Sequence, residues 1–496
     1  MSQTRLIHKL NKKRVVYYGP DWRSTMIDRG VIVDKSEFIA EVFDRPEKIS
    51  LIIRPHGFGK TFALNMLYDF LNSSQRDSHI QLLKIWFMNE GNYQKYRNKF
   101  SVIRFYFDRS LVNSLEAYMD YIKFKMYGQF TECFSNIKHQ DNTFSVDSLK
   151  YLIDKTFAKY NKKIILLIDN IDQPLRDAIQ HDFYDEMLLF IQQFLSHAFE
   201  SQQYIEKIII TGRYALPGYQ TLGMHLYTVF DKGYSKHFGF SETETLSILN
   251  EIFKPDDAKE LFLYIQEWYK GYKIGEETLL HPKMILNFIG ENTRFPRTWL
   301  DNKPCLNNHM DDNSILISFN NYLKKNRFID SFEKLLVGQP IHSNITFEID
   351  NASEKKSTDQ SIANKLFSAG YLALKQEDST SNQCAMLQSH KKSYSLVIPN
   401  KKIRTLIEKF IKLNKESIKL DKQRINDWIK LNKQKKELED ILHRQVNGNY
   451  LFFSLLSLNS LVFLGMLNPC WLTFMGFLFL ILQLDFSGYQ QKIEAH

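Results

Sequence analysis

The sequence predicts an α/β fold with a parallel sheet at its centre, and three apolar runs predict it. Ile49 to Ile53 leads into the turn Arg54-Pro55-His56-Gly57-Phe58-Gly59 and then into a helical pattern from Thr61 to about Leu71. Ile164 to Ile168 is an unbroken run that stops at Asp169, and Ile208 to Ile210 stops at Thr211-Gly212-Arg213. Short runs without polar alternation are what strands buried on both faces look like. In open sheets of this kind ligands gather beyond the C-terminal strand ends, so polar residues there are the first candidates for a site. Ser101 to Asp108, rich in β-branched and aromatic residues, reads as a further strand.

The first of these turns has the chemistry of a phosphate-binding loop. Gly57 and Gly59 let the backbone curl so that successive N–H groups face phosphate oxygens. Lys60 then reaches the β- and γ-phosphates, and the Thr61 hydroxyl is a magnesium ligand. The pattern G-x-x-x-x-G-K-[ST] calls for a glycine at position 54, where this chain has Arg54. Asp169 can hold magnesium opposite Lys60 and Thr61, directly or through water, with a turn or capping role as the alternative. The next residue is Asn170, an amide that cannot act as a general base near neutral pH. Asp172 is the nearby carboxylate for that task, and a substrate-binding or structural role is equally open to it. Thr211 is placed to sense a γ-phosphate, while Arg213 either offsets its charge or makes a surface salt bridge.

The remainder of the chain is less directly informative. The 496 residues suffice for about three domains. A net charge of +9 favours anionic partners, namely nucleotide, nucleic acid or lipid headgroups. Four dispersed cysteines argue for a reduced compartment and against a structural zinc site, and the basic start has no apolar segment of a cleaved signal. Ser241 and Glu244 form a capping-box pattern, and the cluster Glu267 to Gly275 either packs inside a helical lid or stacks on an adenine. Short strands are expected near Tyr371 to Leu374 and Tyr394 to Ile398, with a polar loop from Gln376 to Gln383. Residues 401–444 hold 14 Lys or Arg against seven Asp or Glu and read as a helix. From Arg444 to Asp485 no charge intervenes, and Asn468-Pro469 breaks this stretch into two helices about 27 and 23 Å long. A two-pass or re-entrant membrane hairpin follows, with the basic helix on its cytoplasmic side.

These motifs divide the chain into an N-terminal arm (1–29), a core around the loop (30–236) and a helical lid (237–302). An accessory α+β region (303–403), a basic helical linker (404–448), a transmembrane or re-entrant hairpin (449–486) and a tail (487–496) complete it. In this order the motifs resemble those of the bacterial AAA-ATPase-like family, whose loop has the form RPRRFGKS and here reads Arg54 to Thr61. Arginine is usual there in place of the first glycine. Val33 to Ile39 is similar to the family's V-D-K-T element, and Leu167 to Leu175 to its L-I-D-E-Y-D-x-P-L. TGRY, FGFSETE, WYKGYKIG, Leu280-His281-Pro282, Ala369 to Leu372 and Ile398-Pro399-Asn400 also have counterparts, so the likeness runs from about residue 20 to 405.

The resemblance implies a P-loop NTPase core that binds ATP and Mg2+ through Arg54, Gly57, Phe58, Gly59, Lys60 and Thr61, with Thr61 and Asp169 at the metal. Asp172, Thr211 and Arg213 would then act at the reacting phosphate. Three positions depart from it. His56 and Gly57 replace two arginines, and Asn170 replaces the glutamate that would activate water, which points to slow hydrolysis. The PD-(D/E)xK nuclease domain of many relatives has no counterpart after Asn400. The expectation is a membrane-anchored, AAA-ATPase-like protein with its bulk in the cytoplasm. A non-hydrolysing, nucleotide-dependent interaction module and a DNA-associated NTPase are the alternatives, and no protein partner is indicated.

Overall fold

The computed structural model describes residues 33, 35–72, 95–107, 114–133, 146–294, 327–349, 358–375, 393–419, 433 and 436. The chain divides into two compact units, residues 1–411 and 412–496. The expected hairpin at 449–486 and the loop from Gln376 to Gln383 lie outside the described residues. Among the described residues no helix is long and apolar enough to cross a membrane.

Five parallel strands form the central sheet: β1 (Ile49–Ile53), β2 (Ser101–Tyr106), β3 (Ile164–Asp169), β4 (Ile205–Gly212) and β5 (His225–Tyr227), in the order β2-β3-β4-β1-β5. Every residue of β1 and β3 is buried. The reason is that each strand feeds two cores. Leu166 and Ile168 enter one, Ile165 and Leu167 the other, as do Ile208 and Ile210 against Ile209. This is why these strands show no polar alternation in sequence.

Helices α1 (Glu37–Asp44) and α2 (Lys60–Asn72) belong to one core, and α3 (Leu115–Cys133), α4 (Ser148–Tyr160), α5 (Gln173–Gln180) and α6 (Tyr184–Glu200) pack into the other. Ser36 stands before α1 in helical geometry and makes no side-chain cap bond.

The predicted lid is not wholly helical. Helix α7 (Glu242–Ile252) begins with the full capping box of Ser241 and Glu244, and α8 (Pro255–Tyr269) follows. Then an antiparallel hairpin, β6 (Lys270–Ile274) and β7 (Glu277–Leu280), precedes α9 (Pro282–Arg294). Tyr269 and Tyr272 are buried in the core, so these two rings of the aromatic cluster are packing and not a platform for a base. The accessory region holds α10 (Arg327–Leu336), β8 (Ile341–Asn344), α11 (Asp359–Ser368), β9 (Ala373–Leu374), β10 (Ser393–Val397) and α12 (Lys401–Lys419). Its strands form an antiparallel sheet in the order β8-β10-β9. Phe367 and Leu372 share a core with Phe58 and Tyr272, so this region completes the fold around the loop.

Candidate functional site

Register brings three strand ends to one edge of the sheet. Ile53 lies opposite Gly212, Ile168 opposite Ile210, and β4 stands between the other two strands. The polar residues that terminate β1, β3 and β4 are therefore neighbours, although they are far apart in sequence.

The loop between β1 and α2 is a left-handed curl. Gly57 and Gly59 have φ of 79° and 86°, a region that side chains with a Cβ rarely occupy. At Gly57 space forbids a side chain as well, since a Cβ would lie 2.3 Å from Cε1 of His281. The Gly59 carbonyl accepts from the Ala63 N–H at 2.9 Å and starts the helix. Phe58, expected at the nucleotide, sends its side chain into the core, edge-on to Tyr272 and His281 with centroids 5.1 and 4.8 Å away. Its part in a cradle is limited to its backbone.

Lys60 is buried and donates to the carbonyls of Arg54 (2.7 Å) and Pro55 (2.9 Å). Burial, assisted by the charge of Arg213 and only partly opposed by Asp169 and Asp172, lowers its pKa to about 7. Thr61 Oγ1 donates to Asp169 Oδ2 at 2.5 Å, and the Thr211 hydroxyl donates to the other carboxylate oxygen. That oxygen also accepts from the Asn170 N–H at 3.0 Å. Burial pushes the Asp169 pKa up against these bonds. The residues expected at the metal and at the γ-phosphate, Thr61, Asp169 and Thr211, thus form one hydrogen-bonded cluster beside Lys60. Asn170 has φ of 55°, a conformation asparagine tolerates better than most residues.

Two expectations need correction. Arg54 is fully buried, and its guanidinium donates to the carbonyls of Ile53 (2.9 Å), Tyr227 (3.1 Å) and Gly233 (3.1 Å), with the Phe238 ring 5.5 Å away. It ties the start of the loop to the end of β5 and is not placed to hold a phosphate. Burial lowers its pKa to about 10. Asp172 is fully buried too. One oxygen accepts from the Arg213 N–H at 2.9 Å and the other pairs with Arg176 at 2.8 Å. It positions the Arg213 backbone and does not face an open site as a base would. The Arg213 side chain reaches the loop, where its Nη2 meets Nδ1 of His56 at 2.8 Å.

Sequence reasoning assigns no role to His281 and does not find Lys283. The His281 ring packs on Gly57, its pKa lowered by burial to about 3, so it is neutral there. The Lys283 N–H approaches the Gly57 carbonyl at 3.4 Å, and its side chain is buried. The start of α9 therefore seats the loop from behind. Leu280-His281-Pro282 marks the place in the sequence, but nothing there marks Lys283. Tyr272 Oη donates to the Gly370 carbonyl at 2.8 Å, which carries the same contact on to the accessory region.

Residues 20–216 match a family model described as AAA-ATPase-like, "Predicted AAA-ATPase". No curated protein matches the chain. Among solved structures, the ORC2 protein of Aeropyrum pernix in ADPNP–ADP complexes is 12% identical over 79% of this chain and 96% of its own, with a TM-score of 0.30. The ORC1 protein of the same organism in complex with DNA is 11% identical over 81% of this chain and 94% of its own, with a TM-score of 0.27.

Proposed function

Given that residues 20–216 belong to the AAA-ATPase-like family, we propose that the protein binds Mg-ATP at the mouth of its phosphate loop and hydrolyses it slowly, if at all. The observation that carries this reading is the cluster of Thr61, Asp169 and Thr211 beside a buried Lys60 that, among the described residues, bonds only neutral carbonyls. Thr61 and Asp169 supply hard oxygen donors of the kind magnesium takes, and the hydrogen bond between them is the one the ion would replace. Among the described residues no group of three His, Cys, Asp or Glu could hold a metal alone. That suits an ion that shares its shell with substrate phosphates and water. When bound, the ion neutralises charge on the transferred phosphate.

Lys60 would exchange its two carbonyl partners for phosphate oxygens, while the N–H groups of the curl around Gly57 and Gly59 face the same anion. Thr211 and Arg213 would report a γ-phosphate. A labelled ATP analogue titrated into the full-length protein tests the reading: Lys60→Ala is expected to abolish binding, and equal binding by both proteins would sink it.

Asn170 favours a second reading, a nucleotide-dependent interaction module that turns over little. Asn170→Glu should raise turnover strongly if the rest of the site is competent, whereas fast turnover by the native chain would exclude the module. Salt-dependent DNA binding that is lost with residues 404–444 would instead favour the DNA-associated alternative. The charge-free run between Arg444 and Asp485 supports membrane anchoring through the stretch at 449–486. Carbonate-resistant membrane association is expected and should vanish with those residues.

A further inference from the structure

We propose that His56 is a positioning residue that fixes the Arg213 guanidinium at the mouth of the loop, and that this pair makes the site prefer a nucleoside triphosphate to a diphosphate. The inference rests on the nucleotide reading and adds to it the residue on which discrimination depends.

The chemistry of the contact decides its direction. Arginine is always charged and can only donate, so Nδ1 of His56, 2.8 Å from Nη2, must be the unprotonated acceptor. The imidazole is therefore neutral in this arrangement, since an imidazolium would offer two donors to a third. Position 56 lies inside the loop, one residue before Gly57, so the bond fixes the guanidinium to the phosphate-binding backbone itself. Arg213 is held at its other end as well. Its N–H donates to Asp172 at 2.9 Å, and Asp172 is fully buried and paired with Arg176. Both the root and the tip of Arg213 are thus fixed before a ligand arrives, and a preorganised donor loses less freedom on binding than a free one.

This fixed charge lies beside Lys60, whose ammonium it disfavours, and Lys60 is the group expected at the β- and γ-phosphates. A cation held there adds attraction chiefly for the phosphate farthest from the nucleoside. A lysine or arginine at position 56 could accept no bond and would repel Arg213, so the histidine supplies what those residues could not.

The test uses the full-length protein with Mg2+ and two probes, ATPγS and ADP. The native protein should prefer ATPγS. His56→Ala should weaken ATPγS by about tenfold to a hundredfold, the scale of losing one bond to a charged group, with ADP changed by less than about twofold. His56→Asn, whose amide oxygen can take the place of Nδ1, should recover most of that preference. Arg213→Ala should lose at least as much as His56→Ala, and the double variant should lose no more than Arg213→Ala alone. Equal weakening of both nucleotides by His56→Ala, failure of His56→Asn to restore the preference, or additive losses would each overturn the proposal. If Arg213→Ala lowers the preference and His56→Ala does not, only the role of His56 falls. If Lys60→Ala still binds as the native protein does, the nucleotide reading falls first.

Discussion

Beneath α1, Lys35 gives its ammonium to both oxygens of Glu244, at 2.7 and 2.9 Å, and to the Lys236 carbonyl at 2.8 Å. Close by, Glu41 gathers the Tyr234 N–H (2.9 Å), His237 Nε2 (2.7 Å) and Arg45. At the mouth of the loop, among the described residues, Lys60 bonds only neutral carbonyls, and Asp169 only hydroxyls and an N–H. Both clusters are polar and largely buried, yet one pairs its charges and the other keeps its cation and its anion on separate neutral partners. The electrostatics follow. Burial pushes Glu41 up, but hydrogen bonds from His237, Tyr234 and Arg45 outweigh it and hold the pKa at about 2. Burial prevails at the loop, where the Lys60 pKa falls to about 7 and that of Asp169 rises. The first cluster stabilises the charged forms of Glu41 and Arg45 as part of the fold. The second leaves its charges costly until an anion and a cation arrive, which is the pattern expected of a binding site.

The same substitution in both clusters gives the largest contrast. Lys35→Met leaves the Glu244 carboxylate, 11% exposed, without its cation and with the Ser241 N–H of the capping box still bonded to it, and should cost about 3 kcal/mol in urea unfolding. Lys60→Met removes a desolvated cation together with two hydrogen bonds, and should leave stability within about 1 kcal/mol of native. Equal losses would erase the distinction between a structural and a poised cluster.

A smaller effect concerns protons. With a pKa of about 7, Lys60 is largely neutral at pH 8, and bound phosphates must raise its pKa. Nucleotide binding at pH 8 should therefore take up close to one proton, read by calorimetry in buffers of different ionisation enthalpy. Affinity should fall by up to about tenfold per pH unit above 7. Proton release, or none exchanged, would mean that Lys60 is not the group the phosphates meet.

Much of this is legible in the sequence where burial is complete. Strands β1, β3 and β4 announce themselves because both their faces are apolar, and the ends of those apolar runs place Asp169 and Thr211 at strand termini. What escapes is set by distant partners. Arg54 reads as a phosphate ligand in the sequence, yet its role is defined by the carbonyls of Tyr227 and Gly233, 173 and 179 residues away. Asp172 stays open between base and tie because the group that occupies it, the Arg213 N–H, lies 41 residues on. The three-residue β5 and the four-residue β8 are too short for periodicity to mark, and the β6–β7 hairpin is hidden inside an aromatic cluster.

The smallest effect lies in the structural cluster and has the opposite pH signature. The folded pKa of Glu41, about 2, is below its ordinary value of 4.5, so its ionised form stabilises the fold. That contribution is fully present above about pH 4.5 and is lost as pH falls through 4.5 toward 2. His237, whose pKa burial lowers against the pull of Glu41, adds a loss of the same sign, which sets in below its ordinary value of 6.5. Glu41 remains a quarter exposed, and solvent screens part of the effect. Thermal unfolding followed from pH 5 to pH 3 should therefore show a modest fall in midpoint, and Glu41→Gln should flatten it while lowering the midpoint at pH 7. If Glu41→Gln leaves the acid slope unchanged, the charges under α1 are not stabilised by their partners, and the two clusters obey the same rule after all.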